Sequence, residues 1–249
     1  YVFRELTPFA ILISGGKTSV ANMFMNLGTG KVGLVGYWDV VAFDEVAGIK
    51  FNNPDAIQIL KDYMELGSFS RGKEEVTADG SLVFNGNIDD IEDVLRYSHL
   101  FYPLPVDRFH LYLPGWEILK IKPDHLTNHY GFVVDYLSEF LREMRKYNFT
   151  DVIDEYFELG SHLNQRDSKA VRKIVSGLIK ILHPDGNFTK EELEEYLIFA
   201  LEMRRRIKEQ LKKIGGDEYW EVEFSYIDKD NEEEVIVEIP ELQKIRKKK

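Results

Sequence analysis

The segment Val40-Val41-Ala42-Phe43 is apolar at every position and runs directly into Asp44-Glu45. A short run that is apolar at consecutive rather than alternate positions suits a strand covered on both faces, as in a parallel sheet flanked by helices. That requirement points to an α/β arrangement. It also places two carboxylates just past the carboxyl end of the strand, where open α/β sheets bind ligands. Adjacent acids there can divide one task, with Asp44 holding a Mg2+ through its waters and Glu45 orienting and deprotonating an attacking water. The competing reading is a buried strand that merely surfaces at two acids.

The chain has 249 residues, 44% hydrophobic and 30% charged, which is the composition of a soluble globular protein with one large domain or two small ones. No apolar run has membrane-spanning length and no signal-peptide pattern opens the chain, so no membrane partner is expected. Zero cysteines exclude disulfides, thiolate metal sites and a Cys nucleophile, and fit a cytoplasmic protein. A first residue Tyr1 rather than Met reads as a fragment or the ordered part of a longer protein. The net charge of −11 argues against a generally basic nucleic-acid binder. Positive charge gathers at Arg204-Arg205-Arg206, at 208–213 and at 244–249. Such runs read first as a solvated helix face and a frayed terminus, with DNA contact the lesser alternative.

The first half reads as α/β, with strands expected at 10–14, 31–35, 40–43, 81–84 and 109–113. A short helix is expected at 20–26, and a longer one opened by Pro54 and ending near Gly67. Residues 68–76 mix Gly, charge and β-branched residues and read as a projecting hairpin. The second half reads as helical: an amphipathic stretch led by Pro123, then helices at 151–159 and 167–182. A last helix opens on the capping box Thr189-x-x-Glu192 and runs to about Ile214. Residues 219–227 and 234–239 alternate in strand fashion around a polar turn.

Several motif look-alikes fail on context. Gly28-Thr29-Gly30-Lys31-Val32-Gly33 spells G-x-G-x-x-G, but a helix precedes and a strand follows it in this reading, the reverse of a dinucleotide site, so a tight turn is expected. That removes the only support for a nicotinamide oxidoreductase. Gly15-Gly16-Lys17-Thr18 imitates the end of a phosphate loop, but Ile11 stands where the first Gly belongs. His125 and His129 are four apart on a stretch read as helical, yet Leu126 replaces the glutamate that a zinc protease needs, so they read as surface histidines.

Downstream of the two acids come a strand ending near Asn87, then Asp107-Arg108-Phe109, then Arg172 within a helix. An ATP site at a subunit interface needs a polar group beside the γ-phosphate, an arginine lent by the neighbouring subunit, and an arginine from a helical lid. With the acids in the form of a Walker B segment, this order resembles the AAA+ ATPases. The stretches 33–48, Lys61-Asp62-Tyr63-Met64, Leu113-Pro114-Gly115-Trp116-Glu117-Ile118, Val133-Val134-Asp135-Tyr136-Leu137 and Asn164-Gln165-Arg166-Asp167 resemble, more narrowly, the BrxL family, the Lon-related proteins of the BREX phage-defence system. This resemblance covers nearly the whole chain.

The resemblance implies an AAA+ P-loop-type parallel-sheet core over 1–118, a C-terminal helical lid over 119–216 and a small β tail over 217–249. It implies ATP and Mg2+ as cofactors, with Asp44 holding the metal through water and Glu45 as catalytic base. Asn87 would sense the γ-phosphate, with Asn85 as substitute, Arg108 would be the arginine finger acting in trans, and Arg172 the lid sensor. It implies a ring-shaped homo-oligomer, a hexamer being the expected size, that binds DNA. Arg71 and Lys73 would then meet the nucleic-acid backbone, the alternative being a solvated turn. The family's phosphate loop precedes the segment that opens at Tyr1, so this stretch alone is expected to be inactive on ATP. Residues 104–108 are also shorter than the family's stretch before its arginine. Besides a motor that moves or remodels DNA, the resemblance leaves open an ATP-dependent Lon-like protease subunit and a nucleotide-controlled DNA-binding ring scaffold.

Overall fold

The computed structural model describes residues 7–14, 18–44, 54–86, 105–214, 219–220 and 222–238. The chain divides into two compact units, Tyr1–Arg108 with Val133–Ser138, and Phe109–Phe132 with Glu139–Lys249.

In chain order the first unit contains β1 (Ala10–Ile13), the one-turn helix α1 (Val20–Met23), and the hairpin β2 (Met25–Asn26) to β3 (Lys31–Val32). Then come β4 (Val40–Phe43), α2 (Pro54–Leu66), the hairpin β5 (Ser68–Arg71) to β6 (Glu74–Thr77), and β7 (Ser81–Phe84). β4 lies between β1 and β7 in a three-stranded, all-parallel sheet. Its apolar run is spent as the sequence requires: Val41, Ala42 and Phe43 are each 0% exposed, and Phe43 stacks on Phe84 with ring centroids 5.1 Å apart. Full burial of side chains the size of Val41 and Phe43 stabilises by about 1.5–3 kcal/mol each. On α2 the buried Ala56, Leu60 and Tyr63 fall at helical spacing, and Phe24, Tyr63 and Phe69 meet edge to face. The Tyr63 hydroxyl donates to the Gly80 carbonyl at 2.6 Å. A Cβ on Gly80 would sit 2.6 Å from the Val35 carbonyl oxygen, so only glycine lets β7 begin that close to the turn leading into β4.

Two local expectations are corrected here. The helix expected over 20–26 stops at Met23, capped by Ser19, whose hydroxyl accepts the Asn22 N–H at 3.1 Å. Met25 pairs instead with Val32 across the hairpin, so a strand and not a helix precedes the glycine turn, where Gly30 takes φ +68°. The strand expected over 31–35 ends at Val32 and gives way to a 3-10 turn at Leu34–Gly36.

The remaining elements are α3 (Val134–Met144), whose residues are divided between the two units, α4 (Ile153–Tyr156), β8 (Phe157–Leu159), α5 (Gln165–Leu182), α6 (Lys190–Ile214), β9 (Ser225–Asp228) and β10 (Glu233–Ile236). Both long helices start at side-chain caps: Asn164 accepts the Asp167 N–H at 2.9 Å, and Thr189 and Glu192 exchange backbone and side-chain bonds at 2.8 and 3.2 Å. The core of the second unit joins the apolar stripes of α5 and α6 to Phe157, Phe224 and Tyr226. β8, β9 and β10 form an antiparallel sheet in the order β10-β9-β8.

This unit overturns four readings. No strand forms over 109–113; the Tyr112 N–H and the Phe109 carbonyl are taken by the Met203 carbonyl and the Arg204 guanidinium of α6, which leaves no ladder to join. The helix expected over 151–159 is a single turn followed by a strand, because residues 157–159 pair with β9. Pro123 opens only a 3-10 turn, Pro123–His125, so His125 and His129 share no helix face, and both are exposed. Finally, the cluster read as a solvated helix face is buried: Arg204, Arg206 and Lys208 are 1%, 3% and 1% exposed. Arg204 and Lys208 share Asp167, Arg206 forks onto Glu117 and also meets Glu202, and Arg205 pairs with Glu209. Residues 244–249 lie outside the described residues. Among the described residues no helix is long and apolar enough to cross a membrane.

Candidate functional site

The parallel register brings Asp44 and Asn85 side by side. Phe43 and Phe84 are direct partners, so each polar residue is the first beyond its strand's carboxyl end. Backbone bonds fix both positions: Asp44 N–H donates to the Ile13 carbonyl and Asn85 N–H to the Phe43 carbonyl, each at 2.8 Å. Asp44 is half-buried and Asn85 exposed at this rim. Glu45 and Asn87 lie outside the described residues, so of the two asparagines weighed as sensors Asn85 is the one with a described position.

Among the described residues no group of three or more His, Asp or Glu side chains gathers to hold a metal. A single carboxylate at a rim is nevertheless compatible with Mg2+, which keeps most of its waters and is held by one or two carboxylates together with substrate phosphates. It would not suit a closed structural metal site.

Arg108 ends a one-turn 3-10 helix, Val106–Arg108, that buries Val106 in the first unit. Its guanidinium pairs with Glu65 in the last turn of α2, and Nη1 lies 3.5 Å from the Lys61 carbonyl. Arg172, in the second unit, sits midway along α5. It forks onto Asp154, with both bonds at 2.7 Å, and reaches the Thr150 carbonyl at 3.1 Å. That fork holds the Asp154 carboxyl below its ordinary range and raises the Arg172 guanidinium above its own. Each arginine assigned to nucleotide phosphates is therefore held by a carboxylate of its own chain.

Arg71 and Lys73 flank Gly72, at φ +71°, in the turn of the β5–β6 hairpin. Lys73 is exposed; Arg71 is partly buried, faces Glu74 across the ladder, and has a buried Nε without a hydrogen-bond partner. A Cβ on Gly72 would lie 3.2 Å from Leu27, so this turn rests against the β2–β3 turn.

Sequence reasoning missed Glu65, Asp154 and His110. The first two are acids on α2 and α4 whose partners lie on other elements, and no local motif signals them. Burial first, then the charges of Lys173, Arg204 and Lys169, push the His110 imidazole down to about 4.

The comparisons with known proteins agree on one family. The family model described as "Lon-like protease BrxL-like, ATPase domain" matches residues 1–225. Two curated proteins named "Lon-like protease BrxL" are similar over 97% of this chain: one from Bacillus cereus (strain H3081.97), 58% identical over 251 residues, and one from Escherichia coli O9:H4 (strain HS), 53% identical over 250 residues. The match covers 37% and 36% of those proteins, so the chain spans a little over a third of their length. With more than half of its residues matched, the chain belongs to the family of BrxL-like, Lon-related proteins and corresponds to their ATPase domain.

Proposed function

We propose that this chain is the AAA+ motor segment of a Lon-related phage-defence protein that binds DNA and hydrolyses ATP at subunit interfaces to move or remodel it. The observation that carries the reading is the placement of Asp44 and Asn85 next to each other, each just past the carboxyl end of neighbouring parallel strands. In this reading Asp44 holds the water shell of Mg2+, which supplies charge neutralisation at the phosphates when bound. Glu45 takes the proton of the attacking water, and Asn85 or Asn87 hydrogen-bonds the γ-phosphate and fixes the line of attack. Arg108 serves a neighbouring protomer's site, and Arg172 reaches the phosphates from the helical unit, which acts as a lid; each exchanges its own-chain carboxylate for phosphate oxygen. The test is ATP turnover by the full-length protein carrying Glu45→Gln. Loss of a general base costs on the order of 10² to 10⁴ in rate, and unchanged turnover removes Glu45 from the role.

The names of the two relatives, each a Lon-like protease, favour a second reading, an ATP-dependent Lon-like protease subunit. ATP-stimulated casein cleavage by the full-length protein would support it. A nucleotide-controlled ring scaffold is the third, and retained DNA binding and biological activity in Glu45→Gln would favour that.

A further inference from the structure

The last turn of α2 offers a cation a ready seat. A helix carboxyl end carries partial negative charge and carbonyls with spare lone pairs. Glu65, one residue before the end, adds a full charge there. Arg108 takes that seat, on Glu65 and beside the Lys61 carbonyl, and its backbone is pinned by its N–H bond to the Pro105 carbonyl at 2.9 Å and by buried Val106. The Arg108 side chain is only 17% exposed, whereas that of Glu65 is 39% exposed. The guanidinium is thus largely covered in a single protomer, yet its Glu65 partner stands partly in water. A pair of that kind is loose, worth at most a factor of about five in equilibrium. A polyphosphate carries more charge than one carboxylate and presents several acceptor oxygens to the five N–H donors of the guanidinium.

We propose that Glu65 is a positioning residue for Arg108: it parks the guanidinium on its own protomer until the phosphates bound by a neighbouring protomer take it over. The proposal rests on the reading of Arg108 as the residue that acts in trans. Its consequence is a built-in competition. Every productive interface must first break the Glu65–Arg108 pair, so nucleotide binds at the interface more weakly than the site alone would allow. Removing the competitor should therefore tighten nucleotide use and leave the chemical step alone. A merely structural Glu65 would do the opposite.

The experiment measures steady-state ATP turnover by the full-length protein at fixed concentration for wild type, Glu65→Gln, Glu65→Asp, Arg108→Ala and the Glu65→Gln/Arg108→Ala double variant. The expected result is a three- to fivefold lower KM for ATP in Glu65→Gln with kcat unchanged. Glu65→Asp, which keeps the charge on a shorter arm, should fall between it and wild type and carries the test if the Gln variant does not fold. The Glu65 effect should vanish in the Arg108→Ala background. An unchanged KM, a fall in kcat, or a KM effect that persists without Arg108 overturns the parking role. Wild-type turnover by Arg108→Ala would instead overturn the trans reading beneath it, a separate and recognisable outcome.

Discussion

Arg172 and Asp154 are joined at both ends of the guanidinium fork, Nη1 to Oδ2 and Nη2 to Oδ1, at 2.7 Å each. The pair ties the middle of α5 to α4, and the Thr150 carbonyl closes the remaining side of Nη1. Arg172 is 25% exposed and Asp154 50%, so solvent screens the pair and its contribution is about 1 kcal/mol. Asp154→Asn should lower the melting temperature by about 2–4 °C. The Asp154 carboxyl titrates lower in the folded than in the unfolded chain, so its stabilisation is present above the unfolded carboxylate value and is lost as pH falls through the folded one. Arg172→Ala separates the two roles open to this side chain. If Arg172 leaves Asp154 for a phosphate, Arg172→Ala raises the KM for ATP on the order of tenfold and Asp154→Asn does not. If it only staples α5 to α4, both variants cost stability and neither moves KM.

Asp167 sits at 0% exposure and answers two buried cations, Arg204 and Lys208, at 2.8 and 3.1 Å. Removing it strands positive charge away from water, so Asp167→Ala should cost about 3–5 kcal/mol in urea denaturation, enough to unfold a marginal domain. Asp167→Asn keeps the shape and isolates the charge, and should account for most of the loss. A loss below about 1 kcal/mol in both variants would show that the two cations relax to other partners.

The same buried cations mark where sequence reading works and where it fails. β4 was legible because a run of four apolar residues has few other uses, and α6 because its capping box is local chemistry within three residues, whereas the Asn164 cap that starts α5 at Gln165 went unread. The position of Asp44 followed from the strand that carries it. β8 was not legible: residues 157–159 are strand because β9 is there to pair with them, and a three-residue segment carries no period of its own. Arg204 was misread for a similar reason. Arginines on a long helix are usually solvated, and the tertiary arrival of partners such as Asp167 and the Phe109 carbonyl makes burial tolerable. The acids that hold Arg108 and Arg172 were hidden likewise, because an ion pair between two elements leaves no spacing in the chain.

His110 gives the second unit a pH dependence of opposite origin to that of a carboxylate. Burial, with Lys173, Arg204 and Lys169 adding to it, pushes the imidazole to about 4 from an ordinary 6.5. The folded chain therefore resists a proton that the unfolded chain accepts. Stability should be complete above about pH 6.5 and decline as pH falls toward 4, by on the order of 2 kcal/mol. Urea denaturation at pH 7 and pH 4.5 measures the decline. His110→Gln, which cannot titrate, should show a flatter profile over that window, and an identical slope would place the proton uptake elsewhere.

The β5–β6 turn tests the DNA reading by salt rather than by affinity alone. Lys73 is exposed beside Gly72, whereas Arg71 faces Glu74 across the ladder and keeps a buried Nε without a hydrogen-bond partner. If both side chains neutralise phosphates, each alanine variant should lower the magnitude of the slope of log K against log salt concentration by about one. The loss should be the same for every DNA sequence tried, since phosphate contacts position without specifying. Lys73→Ala is the cleaner test, because Arg71→Ala also removes packing from a half-buried side chain. Gly72→Val is the control for shape: the turn demands φ +71°, and the new Cβ would crowd Leu27 at 3.2 Å, so it should distort the turn while leaving both charges in the chain. Lower DNA affinity in Gly72→Val with an unchanged salt slope would mean that the turn's shape matters beyond its charges. An unchanged slope in Lys73→Ala would remove Lys73 from the phosphate backbone and leave the hairpin a solvated turn.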